Sequence, residues 1–149
     1  MKQYKIGFSV KGLISFVAVM LPNIIWMVAP PANDILAGNS AENPFFDAVL
    51  NICRWLTVFA LAFVINKNEK ESKYSKFFIA AVVCLSVYYI SWILYYCGSA
   101  NPWLFVAGLA AAPSLYFIFV ALWLKNYPAI LPSAIFAVIH VTVTFLNYK

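Results

Sequence analysis

Charge is scarce in this sequence. Charged residues make up 10% of the 149 positions, against roughly 25% in an ordinary soluble domain, while 64% are hydrophobic. A chain this short cannot enclose that much apolar surface in water, so lipid must solvate most of it. Metal-ligating residues are equally thin. There is one histidine, and Cys53, Cys84 and Cys97 form no CxxC pair and no Cys/His cluster of zinc spacing. Cys53 and Cys84 fall in apolar runs, where cysteine behaves as a small hydrophobe. No disulfide, metal or cofactor is expected. HExxH, G-x-S-x-G, paired aspartates at metal-ligand spacing and a glycine-rich phosphate loop are all missing. No internal repeat marks an inverted-repeat transporter.

What is present is a series of long apolar runs. A bilayer core requires about 20 such residues per helix. Five stretches meet that length, at about 8–28, 45–65, 77–96, 102–124 and 128–146, and predict an all-α integral membrane bundle in one domain over 1–149. Pro30-Pro31 ends the first run, Pro44 suits the first turn of the second, and Gly98 stops the third. The first run is long for a signal peptide and precedes no A-x-A-like site, so it reads as a retained span. The connections and tails are short, which leaves no sequence for an extramembrane domain.

The net charge of +5 lies at span ends. Lysines there set topology and meet anionic head groups, so membrane lipids, not nucleic acid, are the expected partners. Lys2, Lys5 and Lys11 flank the first span, Lys67, Lys70, Lys73 and Lys76 mix with Glu69 and Glu71 in the second loop, and Lys125 sits in the fourth. A five-span path puts these on one side. The other side has Asp34, Glu42 and Asp47, with Lys149 at the tail. The N-terminus is therefore expected inside and the C-terminus outside. Trp26, Trp92, Tyr95, Tyr96 and Trp103 read as an outer aromatic belt, Trp123 and Tyr127 as an inner one.

Arg54 is the most informative residue, near the middle of the second span. An arginine at bilayer centre costs about 2.5–3.5 kcal/mol even on the mild insertion scale, and such a residue should face the bundle or a wet cavity. Asp47, Asn51 and Arg54 follow i, i+4, i+7 spacing and share one helical stripe. Asn23 follows Pro22 in the first span, and an asparagine beside a proline can help satisfy the disturbed backbone. Tyr88, Ser91, Trp92 and Tyr95 share a face of the third span. His140 lies in the outer part of the fifth, one turn below Thr144. Asn101 and Pro113-Ser114 mark the fourth. Gly108 with Ala111 and Ala112 reads as a close helix contact.

Four short segments resemble a group of small, functionally unassigned bacterial membrane proteins of the Firmicutes type. They are Leu21-Pro22-Asn23-Ile24-Ile25-Trp26, Ile52-Cys53-Arg54-Trp55, Ala112-Pro113-Ser114-Leu115-Tyr116-Phe117 and Ala134-Ile135-Phe136-Ala137-Val138-Ile139-His140. The resemblance implies a five-span fold in a bacterial cytoplasmic membrane and no reaction. Relatives of that group carry a glutamate four residues before the arginine, where this chain has Leu50. The size and aromatic content are also similar to those of the tryptophan-rich sensory (translocator) proteins, without their Trp-x-Pro-Pro signature.

Most of the polar groups fall between the midplane and the outer surface. The expected site therefore consists of Arg54, Asn51, Asp47, Asn23, His140, Tyr88, Ser91 and Tyr95. Such a pocket would bind a lipid head group or small amphipathic ligand. The alternatives are a component of a transporter or channel, or an intramembrane enzyme acting on a lipid, with an oligomer or larger membrane complex as a further expected partner. Interhelical hydrogen bonds acting only as glue are the plain structural reading of the same residues.

Overall fold

The computed structural model describes residues 3–67 and 75–149. The expected positive-loop residues Lys70, Lys73, Glu69 and Glu71, and Lys2 of the tail, lie outside the described residues. Among those described, five helices are long and apolar enough to cross a membrane. The chain is an all-α multi-pass membrane protein. The helices are α1 (Val10–Val28), α2 (Pro44–Phe63), α3 (Lys76–Tyr96), α4 (Ala112–Trp123, continuing a π-helical stretch Leu104–Ala111) and α5 (Tyr127–Tyr148).

Local sequence explains the first three starts. The Ser9 hydroxyl accepts from Gly12 N, Asn43 Oδ1 from Phe45 N, and Ser75 Oγ from Phe78 N, so α1, α2 and α3 each have a side chain on an orphan donor. Asn101 Oδ1 accepts from Trp103 N at 2.9 Å in the same way before the fourth span.

One departure from the expected architecture is a small β pair. The second apolar run leaves the helix after Phe63, and β2 (Val64–Asn66) pairs antiparallel with β1 (Tyr4–Ile6). β-branched Val64 and Ile65 favour extended backbone. The pair gives the chain a fastened end. Tyr4 Oη and Asn66 Nδ2 both donate to the Lys125 carbonyl, and Lys125 adopts left-handed backbone with φ 50°. Asn126 Nδ2 donates to the carbonyls of Ala60 and Val64 at 2.6 and 2.9 Å, which closes the C-terminal end of α2. A Cβ on Gly12 would strike the Leu61 carbonyl, so glycine is what lets α1 approach α2 there.

The opposite end is closed by the segment between α1 and α2. Asp34 Oδ1 accepts from Tyr95 Oη at 2.6 Å and from Trp26 Nε1 at 3.0 Å. Tyr148 Oη donates to the Ile35 carbonyl, and Asn147 Nδ2 to Asn39 Oδ1 and the Ser40 carbonyl. These bonds tie α1, α3 and α5 together through one short loop.

Between the ends, α3 packs along α4 and α2 along α5, whereas α1 meets α2, α3 and α4 more sparingly and barely touches α5. At Gly108 a Cβ would collide with the Ser91 side chain, so the close helix contact expected there is present, made with α3. The outer aromatic belt needs correction. Trp92 and Tyr95 are only 5 and 2% exposed and stack through the core with Trp26, Phe105 and Tyr148. Burial against other rings wins over the head-group region because their face of α3 is the one pressed on the fourth span. Of the expected belt, Tyr96, Trp103 and Tyr127 are the exposed rings that suit a membrane interface.

Candidate functional site

Proline builds the site. Pro22 sits inside α1 and cannot bond to the carbonyl four residues earlier, that of Ala18. Tyr89 Oη of α3 donates to that carbonyl at 2.7 Å. Asn23 Nδ2 donates to the neighbouring carbonyl of Val19 at 3.0 Å and contacts Tyr88 Oη at 2.7 Å, and Tyr88 Oη also donates to Val19. The expected role of Asn23 beside Pro22 is thus met on the adjacent carbonyl, with a tyrosine covering the one that proline releases. Pro113 stands where the π-helical stretch gives way to α4. The wider turn makes room for its ring, and Ser114 Oγ donates to the Ala110 carbonyl at 2.7 Å.

Between α1 and the α2–α5 pair lies a cavity of ≈ 280 Å³. From α1 it is lined by Phe16, Val19, Met20, Asn23, Trp26 and Met27, the i, i+3, i+4, i+7 stripe of one helix face. Across the gap stand Arg54, Thr57 and Val58 of α2 and Ser133, Phe136 and His140 of α5. Tyr88, Leu109, Pro113 and Phe117 close the remaining wall. Arg54 and Met27 are exposed and mark the rim.

Arg54 curls over the ring of Phe136, its guanidinium carbon 5.7 Å from the centroid, and His140 stacks on the same ring at 5.0 Å. Arg54 Nη1 donates to Asn51 Oδ1 at 3.4 Å, at the long edge of hydrogen bonding. Among the described residues no carboxylate forms an ion pair with it. Deeper in the cavity Thr57 Oγ1 and Ser133 Oγ lie 3.3 Å apart, and Ser133 donates to the Ala129 carbonyl. Both hydroxyls are buried.

Of the expected site residues, the structure brings Arg54, Asn23, His140 and Tyr88 to one cavity and leaves four outside it. Asn51 is exposed and reaches the site only through Arg54. Asp47 accepts from Ala41 N and sits in the first turn of α2, where a carboxylate complements the helix dipole. Ser91 donates to the Val87 carbonyl and packs against Gly108. Tyr95 holds Asp34. The Asp47–Asn51–Arg54 stripe is real, but it runs along the edge of α2's buried face, which carries Leu50, Cys53, Thr57, Ala60 and Leu61. Only arginine is long enough to reach from that edge into the cavity.

The site also uses residues that sequence reasoning passed over, namely Phe136, Trp26, Thr57 and Ser133. Thr57 is a turn from Arg54 and Ser133 two turns from His140, a polar pairing legible only once α2 and α5 are known to be neighbours. Asp34 was read as a topology charge alone. Its carboxyl is held below the ordinary 3.8: partial burial pushes it up, and the hydrogen bonds from Tyr95, Trp26 and the Ala37 and Leu36 backbone outweigh that. Cys53, Cys84 and Cys97 are unbridged, and no group of histidine, cysteine and acidic residues among the described ones could hold a metal.

Comparison with protein-family models, with curated proteins and with solved structures finds no match to this chain. The resemblance drawn from the four short motifs has no support from these comparisons.

Proposed function

We propose that this protein binds an anionic amphipathic molecule, such as a lipid head group with its attached chain, in the cavity between α1 and the α2–α5 pair. The observation that carries the reading is Arg54: a mid-span guanidinium on the cavity rim, resting on an aromatic face without a carboxylate partner among the described residues. Keeping such a group in a bilayer is costly unless something anionic meets it. Guanidinium suits carboxylate and phosphate oxygens in particular. His140 beside Arg54 and Asn23 across the gap add hydrogen-bonding capacity, and the rest of the lining is largely apolar, as ligand pockets generally are.

The proposed setting is a bacterial cytoplasmic membrane, with the β1–β2 end inside and the Asp34 end outside. Support comes from the lysines near the β pair, Lys5, Lys11, Lys67, Lys76 and Lys125, against the acidic Asp34, Glu42 and Asp47 at the other end. Native mass spectrometry of protein released from native membranes tests binding directly. A retained lipid or amphiphile is expected on the wild type and is expected to be lost on Arg54→Gln. Wild-type protein that emerges without any bound molecule, and that no anionic lipid stabilises, would sink the reading.

Transport is the second reading, favoured by one observation: α1, the fourth span and α5 are each interrupted by proline, at Pro22, Pro113 and Pro132. Interrupted helices can line a path. Flux of a labelled ligand into proteoliposomes separates transport from binding, and flux unaffected by Arg54→Leu would remove this cavity from the path.

A further inference from the structure

The cavity is graded along the membrane normal. α1, α3 and α5 end, and α2 begins, at the Asp34 end of the bundle. From there Asn23 is about 8 Å down its helix, Tyr88 and His140 about 12 Å, and Arg54 about 15 Å. These are the groups able to meet a charged head. Below them the wall is Phe16, Val58 and Phe117, with Phe16 about 18 Å from the end of α1, and the polar lining residues at that depth, Thr57 and Ser133, are hydroxyls already engaged with each other and with the Ala129 carbonyl. The polar part therefore faces the Asp34 surface and the apolar part faces the bilayer interior, the order in which a lipid of that leaflet is itself built.

Trp26 and the loop cover the cavity toward the Asp34 surface, and Arg54 leaves it open on a flank. Trp26 forms the cavity's wall nearest the Asp34 surface, and its Nε1 is held by Asp34, which Tyr95 also grips. Leu36 N donates to Tyr95 Oη, so the loop itself is pinned over that wall. The exposed rim residue Arg54 lies instead on the flank of α2, about 15 Å below that surface. Size sets a further limit. Pockets for drug-sized ligands run from about 300 to 1,000 Å³, and ≈ 280 Å³ falls at the bottom of that range. One short chain and its head group can occupy it, whereas the body of a two-chain phospholipid cannot.

We infer that the ligand is a single-chain amphiphile with a carboxylate or phosphate head, taken sideways from the bilayer and seated with its head on Arg54 and its chain against Phe16, Val58 and Phe117. The inference rests on the binding reading above and narrows it to one class of ligand, one route and one orientation.

The test uses the full chain in phosphatidylcholine nanodiscs, with thermal unfolding as readout. The probes are dodecyl phosphate, dodecanoate, dodecanol, dodecyltrimethylammonium, inorganic phosphate and added phosphatidylglycerol. Saturable stabilisation by the two single-chain anions is expected, with none from the alcohol, the cation or inorganic phosphate. Arg54→Gln should weaken dodecyl phosphate about tenfold or more, since a charge-assisted contact is lost, and should leave the unliganded transition in place. Val58→Trp should weaken dodecyl phosphate and spare hexyl phosphate, added as a shorter probe, because it fills only the apolar part. Equal losses for both chain lengths would overturn the orientation. Stabilisation by inorganic phosphate equal to that by dodecyl phosphate would overturn access from the bilayer. Arg54-dependent binding of phosphatidylglycerol without either single-chain anion would overturn the single-chain assignment and leave the binding function intact. No Arg54-dependent response to any probe would overturn both.

Discussion

The seam between α3 and the fourth span and the gap between α1 and α5 solve the same problem in opposite ways. Each must place two apolar helices side by side in a solvent that gives no hydrophobic drive for their contact. At the seam Gly108 lets the backbones close until Ser91 touches where a Cβ would stand. At the gap the facing residues are long or bulky: Phe16, Met20 and Met27 on one side, Phe136 and His140 on the other. They prop the helices apart. A small residue at a crossing yields packing, and a set of large ones around a proline-bent helix yields a chamber.

The largest expected effect comes from filling the seam. Gly108→Val should destabilise the bundle by about 3 kcal/mol, the upper range for overpacking a tight contact, read as a lowered thermal transition in nanodiscs. A transition within a degree of wild type would show that the seam has slack and break the contrast. Asn126→Ala comes next, at about 2 kcal/mol, because the carbonyls of Ala60 and Val64 lose a buried donor; the same measurement decides it. In the gap the response should be small. Met20→Ala enlarges a chamber that already exists, so it should cost less than a sealed-core truncation, about 1 kcal/mol against the 2–5 usual for Met→Ala. A cost in the full core range would mean the chamber closes around Met20 in solution.

The smallest effect is expected from pH at the clasp over the chamber. Because Asp34's carboxyl is held below 3.8, its contribution is complete above that value and is lost as pH falls through the lowered one. Acid unfolding of the wild type and of Asp34→Asn should therefore differ above pH 3.8 and converge below it. Curves that stay parallel throughout would show that the loop is held by its other bonds, such as Tyr148 to Ile35 and Asn147 to Ser40.

The five spans were legible because hydropathy over twenty residues is a strong, local signal. The expected ends differ from the helix ends by about two residues at most, within the usual margin, and the β pair explains the slip at 64–65. The site was half legible. Arg54, Asn23, Tyr88 and His140 stood out because polar groups at mid-span are few. Asn51 and Asp47 were carried along by helical periodicity, which finds a stripe but not which edge of it faces inward. Tyr95 and Ser91 share the face of Tyr88, yet one meets Asp34 and the other Gly108, partners remote in sequence. Phe136 had no signal of its own among thirteen phenylalanines; it becomes visible only as the surface on which Arg54 and His140 both rest.

The β1–β2 pair bears on the order in which the molecule is made. Its two strands lie at Tyr4–Ile6 and Val64–Asn66, so together they bracket α1 and α2 and nothing else. Both strands have been synthesised before the first residue of α3, and the bonds from Lys125 and Asn126 are added to them later. Chains are made from the N-terminus and their parts associate as they appear. The first helical hairpin can thus leave the insertion machinery already knotted at its base. α3 and the helices that follow are added to a finished pair, and the chamber takes shape only when α5, the last helix, arrives opposite α1.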